Sequence, residues 1–193
     1  MRNYIFIIFI VFFGCENYFL PKESAYLRLD YPKPEYELID DKEFPFFFEA
    51  NSRLSEISDI DINLESIDFI INYNQLNAQI NFQYKNVNSK EKLNAYILDL
   101  KTAIETHSVM ANSVKIKDYS LKEKNIFGRI FDLSGSVASP YQFYLTDSIN
   151  NIISGFLYFN IKPNYDSILP AINYIENDII YLIESFDWKN HNK

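Results

Sequence analysis

Cysteine is nearly missing from this chain: Cys15 is the only one among 193 residues. That excludes a disulfide framework and any thiolate metal cluster, so the fold has to rest on a hydrophobic core. Histidine is almost as scarce, with His107 and His191 alone, and no H-E-x-x-H zinc pattern can be drawn from them. Four glycines are too few and too scattered for a phosphate-cradling loop. Positive charge is in deficit as well. The net charge of −8 disfavours a nucleic-acid partner and does not supply a basic patch for anionic headgroups. Nor is there a run that crosses a bilayer: the longest apolar stretch, Tyr4 to Cys15, falls short of the about 20 residues a helical span takes. What is present is apolar mass, 48% hydrophobic and 17% aromatic, ample for the core of one ordinary domain.

The short apolar stretch has the order of a secretory signal. Arg2 opens it, an apolar centre follows from Tyr4 to Phe13, and the small residue Gly14 stands directly before Cys15. Residues 1–14 read as a lipoprotein signal, with Cys15 the new N-terminus and its thiol the lipid acceptor. Phe12 and Phe13 are bulkier than the usual residues before such a cysteine. Anchoring by more than one acyl chain is stable, at about 0.8 kcal/mol per buried methylene. A tether follows over residues 15–25, including Pro21. Residues 26–188 form one domain and residues 189–193, holding His191, a disordered tail.

Within the domain, "AYLRLDYP" reads as a short strand ended by Pro32 and Pro34, and "FPFFFEA" from Phe44 as a second. Residues 51–66 read as a polar, acidic connection. In "NAQINFQYKN" the side chains Ala78, Ile80, Phe82 and Tyr84 alternate with polar neighbours, which predicts a half-buried antiparallel strand. "SIDFIINY" is its hairpin partner, turning at Asn74-Gln75. Asn88 and Glu91 have the spacing of a helix cap and its reciprocal partner. From there Leu93, Tyr96, Ile97, Leu100, Ala103, Ile104 and His107 recur at helical spacing. "SVKIKDYSL", "NIFGRIFDL", "PYQFYLTDS" and "NIISGFLYFNIK" are further strands. A last helix is capped by Asp166 or Ser167, carries Pro170 in its first turn and buries Ile168, Ile172, Ile175, Ile179, Leu182 and Phe186. The whole reads as α+β: an antiparallel sheet of about six to eight strands covered by two long helices.

Chemistry is sparse. His107 falls on the apolar stripe of the first helix, where a histidine bonded to a backbone carbonyl is the simpler reading and an envelope hydrolase the sharper one. Asp59, Asp61, Glu65 and Asp68 offer oxygens for calcium but lack the glycine and spacing of a calcium loop. No metal site, cofactor or catalytic residue is expected. In "SGSVASPYQFYLTDS", Gly135, Ser136, Ser139 and Pro140 make a tight loop between two apolar strands, and these four residues are the candidate interaction loop. The aromatic region Tyr141 to Phe159 could serve a small ligand or polysaccharide, although its strand-period alternation assigns most of the rings to the core.

An ordered series of segments resembles the gliding motility lipoprotein GldD family of the Bacteroidetes. They are "PKESAYLRLDYP", "FPFFFE", "ETHSVMAN", "GSVASPYQFYLTDSINNIISGFLYFN" and the closing "LIESFDW". The resemblance implies a cell-envelope lipoprotein needed for gliding and coupled to type IX secretion, facing the periplasm or in the outer membrane. It implies lipid on Cys15, other gliding or secretion envelope proteins as partners, and no catalytic residue. The order of sheet and helices is also similar to the small PsbP-type domains, mostly assembly or interaction modules.

Overall fold

The computed structural model describes residues 30–160 and 165–189. The signal, Cys15, the tether, most of the strand expected from Tyr26, and His191 lie outside the described residues. Along the chain run β1 (Tyr36–Ile39), β2 (Phe46–Asn51), β3 (Glu56–Ile62), β4 (Ser66–Tyr73), β5 (Ala78–Asn86), α1 (Lys90–Ser108), β6 (Ser113–Leu121), β7 (Ile126–Ser134), β8 (Tyr141–Thr146), β9 (Asn151–Phe159), α2 (Tyr165–Ser185) and β10 (Asp187–Trp188). The architecture is α+β with antiparallel sheets. Seven strands form one sheet in the order β3-β4-β5-β9-β8-β7-β6, and three short ones form a second, β1-β2-β10.

Two hairpins share one device. Between β4 and β5 a 3-10 turn at Asn74–Leu76 ends on Asn77 with φ 48°, and between β6 and β7 a turn at Lys122–Lys124 ends on Asn125 with φ 53°. Asparagine enters the left-handed region more readily than other side-chain-bearing residues, so two of the chain's asparagines are explained by turn geometry. After β5 the chain crosses the sheet as α1, reaches the far edge as β6, and returns through β7 and β8 until β9 closes against β5.

The sheet is covered on both faces. On one, Ile67, Phe69, Ile71, Ile80, Phe82, Phe143, Ile153 and Leu157 meet Phe46 and Phe48 of β2 and Ile175, Ile179 and Leu182 of α2 in a single buried cluster. Rings dominate it: Phe69 and Phe82 stack at 4.6 Å between centroids and Phe143 meets Phe82 edge-on at 5.8 Å. On the other face, Leu93, Leu100 and Ile104 of α1 pack on Phe131, Leu133, Tyr144 and Ile152. Lys85 of β5 sits 4.5 Å over the Tyr96 ring and helps to orient α1. β8 lies under both layers, and all six of its residues are buried.

The structure departs from the sequence reading in particular places. Each helix covers one face of the sheet, a division the sequence reading leaves open, and α2 shares its face with the small sheet. Residues 51–66 are not a plain connection, since β3 pairs with β4 there; its acidic residues are tolerated because it is an edge strand with one exposed side. The cap of α1 is Ser89, whose Oγ accepts from the Lys92 amide at 3.2 Å, while Asn88 is drawn into the left-handed region at φ 52°. Ala103 of the expected stripe is exposed. α2 already runs at Tyr165, which moves Asp166 into its first turn and Pro170 beyond it. Lys189 is anchored, its amide donating to the Pro45 carbonyl at 2.8 Å.

Candidate functional site

The loop after β7 is shaped by its small residues. Gly135 has φ 112°, a conformation that side chains resist, and a Cβ there would lie 3.0 Å from the Asn112 amide nitrogen. The Val137 amide donates to the Gly135 carbonyl at 2.9 Å and the Leu133 amide to the Pro140 carbonyl at 2.8 Å. Gln142, fully buried, donates from Nε2 to the Ser139 carbonyl at 2.9 Å. Gly135, Ser139 and Pro140 are therefore interior supports of the loop, and only Ser136 and Ala138 project from it.

These two exposed residues form one wall of a cleft of about 510 Å³. The end of α1 supplies Thr106, His107 and Met110, the end of β9 supplies Tyr158 and Phe159, and Val137 and Ile168 close the floor. Burial pushes the Tyr158 hydroxyl above its ordinary pKa. The lining is mostly apolar, with polar tips from Thr106, His107, Ser136 and Tyr158. Such a surface takes up an apolar side chain or small apolar ligand and orients it by one or two hydrogen bonds. His107 thus joins the predicted loop at one place. Its Nδ1 is buried with no hydrogen-bond partner among the described residues, so it lacks the acceptor that would fix the tautomer of a catalytic imidazole.

A second constellation was not foreseen. Asp178 of α2 is 4% exposed and accepts three hydrogen bonds, from Tyr36 Oη at 2.8 Å, Asn51 Nδ2 at 2.8 Å and Tyr73 Oη at 3.1 Å. Burial raises its pKa, and the three donors oppose that shift without cancelling it. Asn51 also donates to Tyr174 Oη at 2.9 Å, and Tyr174 in turn donates to the Pro32 carbonyl. The network joins α2 to β1, β2 and β4 and presents no free donor toward solvent. Its signal was legible: Asp178 stands at helical spacing between Ile175 and Leu182, a carboxylate on an otherwise apolar stripe.

Two of the other acidic candidates meet and two do not, Glu65 lying in the turn between β3 and β4. Asp61 and Asp68 face each other across β3 and β4, while Asp59 takes φ 52° at a bulge. No group of three metal-ligating side chains forms among the described residues. Most aromatics between Tyr141 and Phe159 lie in the two cores; Tyr158 and Phe159 reach the cleft.

No curated protein matches the sequence. A family model described as "Gliding motility lipoprotein GldD" matches residues 16–188, beginning directly after Cys15. A match over nearly the whole length shows the relationship: the chain belongs to the gliding motility lipoprotein GldD family.

Proposed function

We propose that this lipoprotein is a non-catalytic binding module of the gliding apparatus and its associated type IX secretion machinery. Its one folded domain is held at the cell envelope by lipid on Cys15 and grips another envelope protein in the cleft between α1 and the loop after β7. Membership of a lipoprotein family brings association with the cell envelope through a lipid anchor. The observation that carries the binding role is the cleft itself. Its wall is held by buried supports, and Ser136 and Ala138 are left as a fixed, exposed ledge opposite His107 and Met110. A rigid ledge costs little ordering entropy on binding, which suits recognition of a partner side chain.

Affinity capture from intact envelopes with wild-type, Ala138→Arg and Cys15→Ala chains tests the reading, alongside colony spreading. The expected result is a set of motility or secretion proteins captured by the wild type and lost with Ala138→Arg. Normal spreading and secretion by a deletion strain would overturn it. A second reading, a tethered receptor for a small ligand or polysaccharide, is favoured only by the volume of the cleft, which lies in the range of small-molecule sites. Ligand-dependent shifts of the Tyr158 and Phe159 resonances without protein capture would select it.

A further inference from the structure

The two outer strands of the seven-stranded sheet, β3 and β6, have unpaired outer edges among the described residues. Both are exposed along nearly their whole length. β6 is nine residues long, free of proline, and its register with β7 runs without a break. Such an edge invites another strand. The two edges differ in character. β6 carries Val114-Lys115-Ile116-Lys117, and β3 carries Asp59-Ile60-Asp61-Ile62.

We propose that copies of this chain associate head to tail, the β3 edge of one pairing antiparallel with the β6 edge of the next. Val114, Ile116, Ile60 and Ile62 are 39 to 58% exposed, so apolar surface stands open on both edges. In an antiparallel pair Ile62 lies opposite Val114, Asp61 opposite Lys115, and Ile60, at the end of the bulge, opposite Ile116. Directly opposed residues share a sheet face, and the faces agree. Val114 and Ile116 pair with Leu133 and Phe131 on the α1 side, while Ile62 pairs with Ile67 on the α2 side. Within one copy β3 and β6 run parallel, because six antiparallel steps separate them. Antiparallel contact between copies therefore flips one of them, and that flip brings the two apolar rows together on one side and the charged rows together on the other.

Charge selects this joint over symmetric ones. A β6–β6 contact lines up lysines and a β3–β3 contact lines up aspartates, both unfavourable. β3 also holds an unrelieved pair, since Asp61 stands directly opposite Asp68 in its own sheet. Lys115 of a second copy would extend that row to Asp132, Lys115, Asp61, Asp68, placing a cation against the paired carboxylates; within its own copy Lys115 reaches Asp132 at 3.5 Å. The bulge between Ser58 and Asp61 limits the match to a few residues. The contact is accordingly weak and depends on crowding at a membrane, where tethering raises the effective concentration.

The test is cross-linking of the full chain in intact envelopes. An Ile60→Cys/Ile116→Cys variant is oxidised and run without reductant, with both single variants as controls. A ladder of dimers, trimers and higher species is expected from the double variant, and none from either single one. Adding Asp61→Lys, which relieves the Asp61–Asp68 opposition and so leaves folding intact, should cut the ladder about five- to tenfold. Adding Lys115→Glu as well should restore it. Only monomer in the double variant, equal cross-linking by a single variant, or a ladder indifferent to Asp61→Lys would each overturn the proposal.

Discussion

Replacing Asp178 by alanine strands three donors at once, and the structure sets the size of the effect. Asn51 and Tyr73 are 1% and 2% exposed, so neither can turn to bulk water. Each buried donor left unpaired costs about 1–3 kcal/mol, whereas the half-exposed Tyr36 hydroxyl recovers its loss from solvent. The expected destabilisation is therefore about 2–6 kcal/mol, against about 1 kcal/mol for Tyr36→Phe. Trp188, the single tryptophan, meets Phe186 edge-on at 4.8 Å at the end of the same core, so its fluorescence reports unfolding in urea. The pH dependence has a definite sign. The folded-state pKa of Asp178 is raised by burial, so the native state holds a proton more readily than the unfolded chain. Folding is then favoured by acid in the window from the folded-state pKa down to the ordinary carboxylate value and penalised above it. Relative to Asp178→Asn, the wild type should gain stability as pH falls through that window. An alanine variant within about 0.5 kcal/mol of wild type, or a wild-type advantage that grows toward neutral pH, would refute the reasoning.

Gly155→Ala places a Cβ 2.4 Å from Cε1 of Phe143 in the centre of the sheet, and should destabilise by about 1–3 kcal/mol in the same urea titration. Ser89→Ala removes the cap of α1 and should cost about 1 kcal/mol, with Ser89→Asn restoring most of it. Ala138→Arg changes an exposed residue, so the melting temperature should stay within about 2 °C of wild type while colony spreading fails. Cys15→Ala should move the protein from the membrane to the soluble fraction of lysed cells, read by immunoblot.

The elements that were legible in sequence are those in which one physical signal dominates. β4 and β5 announce themselves because each has one fully buried and one half-buried face, so burial writes a period of two into the residues. α1 and α2 do so through period 3.6. β3 hides behind its charge: Asp59 to Ile62 does alternate, but the aspartates of an exposed edge strand read as a solvated connection, and a bulge breaks the alternation at Asp59 and Ile60. The small sheet could not be separated from the large one, since "FPFFFEA" tells that Phe46 and Phe48 are buried but not against which partner. The cleft was half legible. The loop stood out by its small residues, and His107 by its place on α1, yet nothing local says that they meet. Of the candidate interaction loop the fold uses Gly135, Ser139 and Pro140 as supports and exposes Ser136 together with the less conspicuous Ala138.

A head-to-tail chain of flipped copies raises a geometric question, because every copy is also to be tethered to one membrane. The half-turn that joins β3 to β6 runs about the axis along which the strands are ordered, so alternate copies present opposite strand ends to the lipid surface. With the lipid on Cys15, the eleven residues 15–25 that the sequence reads as a tether set the reach. At about 3.3 Å per residue they span at most about 36 Å. The longest strands have nine residues and span about 30 Å. The tether therefore exceeds the height of the sheet, and either orientation can be anchored from the same leaflet. The cleft draws no residue from β3 or β6, so each copy in such a row keeps its binding ledge open. Copies facing alternately toward and away from the membrane would then offer partner sites on two levels, a spacing that a single tethered domain cannot provide.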